Sequence, residues 1–141
     1  MKSGIHLLTL DIFLPMKKLP LFFLADDDMD DQMLFVEALT EIDASIKCIV
    51  AKNGEEALVL LKDQQQLPDY IFLDLNMPRM SGLLCLAELK KIEMLKNIPV
   101  IIYSTSSQQE YIDESRLLGA EHFFVKPPNY SGLLKYLKSL V

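Results

Sequence analysis

The chain has 141 residues, half of them hydrophobic and 24% charged, the size and balance of a single domain folding around one apolar interior, which excludes a two-domain enzyme. Basic side chains number 14 against 20 acidic ones, a net charge of -6, so bulk attraction to nucleic acid or to an anionic membrane surface is excluded. Cys48 and Cys85 lie in apolar surroundings without C-x-x-C or Cys/His spacing. Neither a disulfide framework nor a zinc site is expected, and a reducing cytoplasm fits.

The N-terminal stretch has Lys2 and then apolar residues from Ile5 to Leu14, but Asp11 interrupts them and no small-residue cleavage pattern follows. Export and membrane insertion are therefore not expected. Met16, Lys17, Lys18, Leu19 and Pro20 make a natural start before the first strongly patterned segment. Residues 1–15 are read as an extension outside the fold, and residues 16–141 as the domain. An added strand or a partner-binding arm is equally compatible with that extension.

From Leu21 onward, short apolar runs alternate with longer segments of helical spacing. The runs are too brief for helices and too continuous for half-exposed strands, so they read as buried parallel strands. In chain order the expected elements are a strand over Leu21 to Ala25, a helix over Gln32 to Ile42, a strand over Ser45 to Ala51 and a helix over Glu55 to Asp63. A strand over Tyr70 to Asp74, a helix over Leu83 to Ile92 and a strand over Pro99 to Ser104 follow. Helix Gln108 to Leu118, strand Glu121 to Val125 and helix Ser131 to Leu140 complete the series. Asn53-Gly54 and Ser81-Gly82 precede helices, and Gly119 stands where a C-terminal cap would end one. Such alternation implies an α/β fold, a parallel sheet with right-handed crossovers and helices on both faces, whose ligands bind beyond the carboxyl ends of the strands.

The strand ends carry the chemistry. The first run ends in Asp26, Asp27 and Asp28, with Asp30 and Asp31 close behind; the third ends in Asp74, the fourth in Ser104 and Thr105, and the fifth in Lys126. Carboxylates gathered on neighbouring strand ends repel unless a cation joins them. Oxygen donors without nitrogen or sulfur favour a hard divalent ion, which suggests magnesium together with phosphate. A carboxylate can itself attack phosphorus, a transfer that needs positioning and charge neutralisation more than a histidine base. Of the two histidines, His6 and His122, the latter begins the fifth run, away from its carboxyl end, and reads as an ordinary partly buried side chain.

Leu24-Ala25-Asp26-Asp27-Asp28, Asp74-Leu75-Asn76-Met77-Pro78 with Ser81-Gly82, Ser104-Thr105, and Phe123-Phe124-Val125-Lys126-Pro127 together resemble the receiver domain of two-component response regulators, over about Leu19 to Leu140. Any one of these motifs recurs by chance; four in order, each at the end of an expected strand, are specific. The resemblance implies the flavodoxin-like (βα)5 sandwich with strand order 2-1-3-4-5. It implies Asp74 as phosphoacceptor, and Asp26, Asp27, Asp74 and the carbonyl of Asn76 as ligands of Mg2+. Ser104 would donate to a phosphoryl oxygen with Thr105 beside it, Lys126 would pair with the acyl phosphate, and Phe123 would be the aromatic that turns during switching. Pro78, Gly82 and Pro127 are implied as structural residues, with a cis bond before Pro127 aiming the lysine.

Three consecutive aspartates leave the register open between Asp26/Asp27 and Asp27/Asp28; the first pair is taken because it directly follows the strand. Asp30 and Asp31 read as a solvated helix start favoured by the backbone dipole, and Met33 and Met77 as packing residues. Phe123 lacks the tyrosine hydroxyl often found there, and Thr105 is bulkier than the family's usual alanine or glycine, which bears on acyl-phosphate lifetime. Asn76 and Ser106, at positions that tune hydrolysis, indicate no definite rate.

The implied function is a stand-alone response regulator, a phosphoprotein of the cytoplasm. It takes a phosphoryl group from a histidine kinase or histidine phosphotransfer protein and signals to a downstream protein target, without nucleic-acid binding or membrane insertion. It would promote its own phosphorylation and dephosphorylation without being a multiple-turnover enzyme. The face of the fourth helix, fifth strand and fifth helix would switch, and a homodimer through it is allowed. An output domain after the fifth helix is not expected. The alternative is a constitutive receiver-like interaction scaffold that is not phosphorylated; a phosphatase fits less well because its D-x-D arrangement is missing.

Overall fold

The computed structural model describes residues 18–63 and 65–141; the extension proposed over residues 1–15 lies outside the described residues. Five strands form one parallel sheet: β1 Phe22–Ala25, β2 Cys48–Ala51, β3 Tyr70–Asp74, β4 Val100–Ser104 and β5 His122–Val125, in the order β2-β1-β3-β4-β5. Helices α1 Met29–Ile42, α2 Gly54–Lys62, α3 Gly82–Leu89, α4 Gln109–Leu117 and α5 Tyr130–Ser139 alternate with them. This is the expected α/β architecture with the flavodoxin-like strand order.

Period-2 alternation along each strand divides the core in two. Phe22, Leu24, Phe72, Ile101 and Tyr103 face Phe35, Ala38 and Leu39 of α1 and Leu133 and Leu137 of α5. Phe23, Ala25, Ile71, Leu73, Val100 and Ile102 face Ala57 and Leu61 of α2 and Leu83, Leu86 and Leu89 of α3, with Tyr111 of α4 against the same cluster. Central strands are thus apolar on both faces, which is why they read as continuous runs rather than alternating ones. Phe35 packs edge-on against Phe72 at 4.9 Å and Tyr103 at 5.9 Å, knitting α1 to the sheet.

Helix starts follow from capping. Asp28 accepts from the Asp31 N–H and begins α1 at Met29, three residues before the Gln32 expected from apolar spacing alone. Asn53 accepts from the Glu56 N–H, Ser81 from Leu84 and Asn129 from Gly132. Strand β2 begins at Cys48 rather than Ser45, because Asp43 turns the chain by accepting the N–H groups of Ser45 and Ile46. Helix α3 stops at Leu89 instead of reaching Ile92; turns follow, and the Lys90 ammonium satisfies the Lys96 and Ile98 carbonyls. Between β3 and α3, Arg79 has a left-handed φ of 68° and the Gly82 N–H donates to the Leu75 carbonyl at 2.9 Å. A Cβ at Gly82 would overlap the Asp74 carbonyl, so the loop can close beneath the strand end only with glycine there. Pro78 sits at the turn of this loop, its carbonyl accepting the Met80 N–H at 2.7 Å.

The strand order reverses between β1 and β3, β2 lying to one side and β4 to the other. The crevice above their carboxyl ends is where such sheets hold ligands.

Candidate functional site

At that crevice, three strands bring their terminal residues together. Asp26 follows β1, fully buried, its N–H continuing the ladder to the Ala51 carbonyl at 3.0 Å. One carboxylate oxygen accepts the Asp28 N–H at 2.9 Å and the other the Lys126 ammonium at 3.0 Å. Asp74 ends β3, also buried; its Oδ1 accepts the Asn76 N–H at 3.4 Å and its Oδ2 lies 3.5 Å from Lys126 Nζ. The exposed Asp27 joins them: oxygens of Asp26, Asp27 and Asp74 all lie within 4.8 Å of one another. Asp28, by contrast, is engaged at the start of α1 as its cap, accepting the Asp31 N–H at 3.0 Å.

Lys126 follows β5, its main-chain N–H donating to the Ser104 carbonyl at 2.7 Å. Among the described residues there is no cis peptide bond, so the bond before Pro127 is trans, contrary to the expectation. Trans is the lower-energy state of such bonds, and the lysine is aimed instead by the ladder to Ser104 and by the carboxylates around its ammonium. Ser104 is fully buried, and its Oγ accepts the Ser106 N–H at 3.0 Å, which leaves the hydroxyl proton free to donate. Thr105 and Asn76 are exposed beside the crevice, and Phe123 is half-buried against the cluster beneath α2, α3 and α4.

Two site residues lie outside the expected set. Asp31, read from the sequence as part of a solvated helix start, places Oδ2 2.7 Å from Lys126 Nζ. It is the third residue of α1; with the helix expected to begin at Gln32, nothing aimed its side chain back at the sheet edge, whereas recognising Asp28 as the cap would have done so. Asp30 is exposed, as read. Tyr103 is the other, its ring centroid 4.9 Å beneath Lys126 Nζ. His122 is exposed rather than partly buried and stacks on Tyr136 at 5.7 Å.

The electrostatics reflect crowded anions. Burial, and then the like charge of Asp26, push the Asp74 carboxyl up to about 7 against the pull of Lys126. Burial likewise raises Asp26, although the Asp28 N–H and Lys126 favour its charged form. Burial alone would lower Lys126, but Asp31, Asp26 and Asp74 together hold it above the ordinary lysine range. One ammonium does not neutralise this group, and the all-oxygen donor set of Asp26, Asp27 and Asp74 suits a hard divalent cation. The free thiols of Cys48 and Cys85 are pushed up to about 12 by burial, as befits packing residues rather than nucleophiles.

A parallel sheet of this order, with carboxylates, a hydroxyl and a lysine on its carboxyl edge, defines a receiver domain. The family described as the response regulator receiver domain matches residues 22–138, and the chain belongs to that family. It is 30% identical over 122 residues to the response regulator Rcp1 of Synechocystis sp., covering 83% of each chain. Its backbone superposes on the phosphorylated cyanobacterial phytochrome response regulator RcpA with a TM-score of 0.80 at 32% identity, covering 87% of this chain and 91% of that one. The Mn2+-bound form of Rcp1 is similar at a TM-score of 0.75 and 28% identity, over 86% of this chain and 91% of the other. Proteins of this kind are signalling proteins of two-component systems rather than enzymes in the usual sense. Among the described residues, no helix is long and apolar enough to cross a membrane.

Proposed function

We propose that Asp74 accepts a phosphoryl group from the phosphohistidine of a histidine kinase or phosphotransfer protein, in a cytoplasmic domain spanning residues 16–141. The supporting observation is the convergence of Asp26, Asp27 and Asp74 with one lysine at the reversal of strand order. An Asp74 oxygen attacks phosphorus, and the bond from phosphorus to the donor imidazole breaks. Its electron pair stays on the imidazole nitrogen, which takes up a proton, and an acyl phosphate remains on Asp74. Mg2+, held by Asp26, Asp27, Asp74 and the Asn76 carbonyl, would supply the neutralising charge for this transfer. Lys126 pairs with the added phosphoryl oxygens, and the free proton of Ser104 donates to another.

The rearrangement of Ser104 and Phe123 is then felt on α4, β5 and α5, where Leu117 is 88% exposed and where, among the described residues, β5 is the last strand of the sheet. We place the docking of a downstream protein, or of a second copy of this chain, on that face. Incubation with acetyl phosphate and Mg2+ tests the reading: intact mass is expected to show one phosphate adduct, lost in Asp74→Asn and in excess EDTA. An unmodified protein at saturating donor and metal, or an adduct that persists in Asp74→Asn, overturns it.

A further inference from the structure

The ammonium of Lys126 has three donors and meets three carboxylates at unequal distances: 2.7 Å to Asp31, 3.0 Å to Asp26 and 3.5 Å to Asp74. The longest contact is to the proposed phosphoacceptor, and the shortest is to Asp31, which lies outside the converging group of Asp26, Asp27 and Asp74. Asp31 is not among the carboxylates that converge within 4.8 Å, and its ion pair in the described residues is with Lys126. Its side chain is 31% exposed, so solvent partly supports its charge, whereas Asp26 is fully buried and depends on the lysine. The Asp28 cap fixes the Asp31 main chain, and Gln32, next in the helix, donates to the Asp26 carbonyl at 2.6 Å. The first turn of α1 is therefore tied to the end of β1, and the position of Asp31 over the crevice is set by backbone structure rather than by a mobile surface side chain.

We propose that Asp31 is a positioning residue that draws Lys126 off Asp74, keeping the acceptor carboxylate free for metal and for phosphorus. Without it, the ammonium settles on Asp26 and Asp74, whose oxygens would hold the cation, and competes with that cation directly. The inference rests on the metal-dependent reading of the site. It adds a role for a residue outside the ligand set, acting through the lysine.

A double-mutant cycle on the full chain tests this, with Mg2+ affinity read by calorimetry and folding checked by circular dichroism. Asp31→Asn is expected to weaken Mg2+ binding about fivefold, beyond what the exposed neighbour Asp30→Asn does, and Asp31→Glu to restore it. In a Lys126→Met background the Asp31→Asn effect should shrink to below about twofold, since the competing ammonium is gone. An equal loss in both backgrounds means that Asp31 acts only by its long-range charge and overturns the inference while leaving the proposed function standing. Failure of the wild type to bind Mg2+ at all overturns both.

Discussion

The main-chain N–H of Lys126 donates to the Ser104 carbonyl at 2.7 Å, one step beyond the last paired residues of β4 and β5. The lysine and the hydroxyl are thereby held in fixed relation by the sheet itself, independent of either side chain. Ser104→Ala should leave Lys126 in place while removing the donor proposed for the phosphoryl group and the acceptor of the Ser106 N–H. Beryllofluoride affinity in Mg2+ is expected to fall about tenfold, with a stability loss of only about 1 kcal/mol in urea titration.

Asp74 gives the free protein a pH-dependent stability whose sign follows from its raised pKa. The folded carboxyl binds a proton up to about 7 while its ordinary value is 3.8. The folded state therefore binds more protons than the unfolded one between those values, and stability falls as pH rises through that window. Asp74→Asn removes the titration. Measured by urea unfolding with EDTA present, it should match the wild type below about pH 4 and exceed it by about 1–3 kcal/mol at pH 8. Saturating Mg2+ should erase most of that advantage by neutralising the wild-type carboxylate.

Asp27 and Asp28 should separate cleanly by measurement. Asp27→Asn removes a converging carboxylate from an exposed position, so Mg2+ affinity is expected to drop by about tenfold or more with stability unchanged. Asp28→Ala removes the cap of α1 and should cost about 1 kcal/mol, with Mg2+ affinity changed by less than about threefold. Calorimetry and chemical denaturation on the same samples decide it; the reverse pattern would move the proposed ligand pair one residue along the chain.

Gly82→Ala should be among the most damaging small substitutions. The added methyl meets the backbone carbonyl of Asp74, which cannot move without displacing the end of β3. A loss of about 2–4 kcal/mol is expected in thermal or urea unfolding, together with weaker Mg2+ binding as Asp74 shifts. An unchanged midpoint would show that the loop after β3 is less tightly packed than described.

The order and type of the ten elements were legible because they rest on local signals. Central strands such as Phe22–Ala25 and Tyr70–Asp74 are apolar on both faces, and Asn53, Ser81 and Gly119 punctuate the helices. Boundaries slipped where a polar side chain, rather than the apolar period, sets the end: Asp28 starts α1 early, and Asp43 delays β2. The residues ending the strands were equally legible, since a parallel sheet places all its carboxyl ends on one edge.

What the sequence by itself determined is therefore the alternation of strand and helix and the set of chemical groups delivered to one edge of the sheet, because periodicity and strand ends are read over a few neighbouring residues. Only the tertiary structure decided how those groups share charge: Lys126 closest to Asp31, 95 positions away, with Asp26 next and Asp74 held at 3.5 Å. The trans bond before Pro127 and the cap that turns Asp28 away from the crevice were decided there too. Such pairings depend on distances of an ångström or less between elements far apart in the chain, and the pattern of residue types carries no information at that scale.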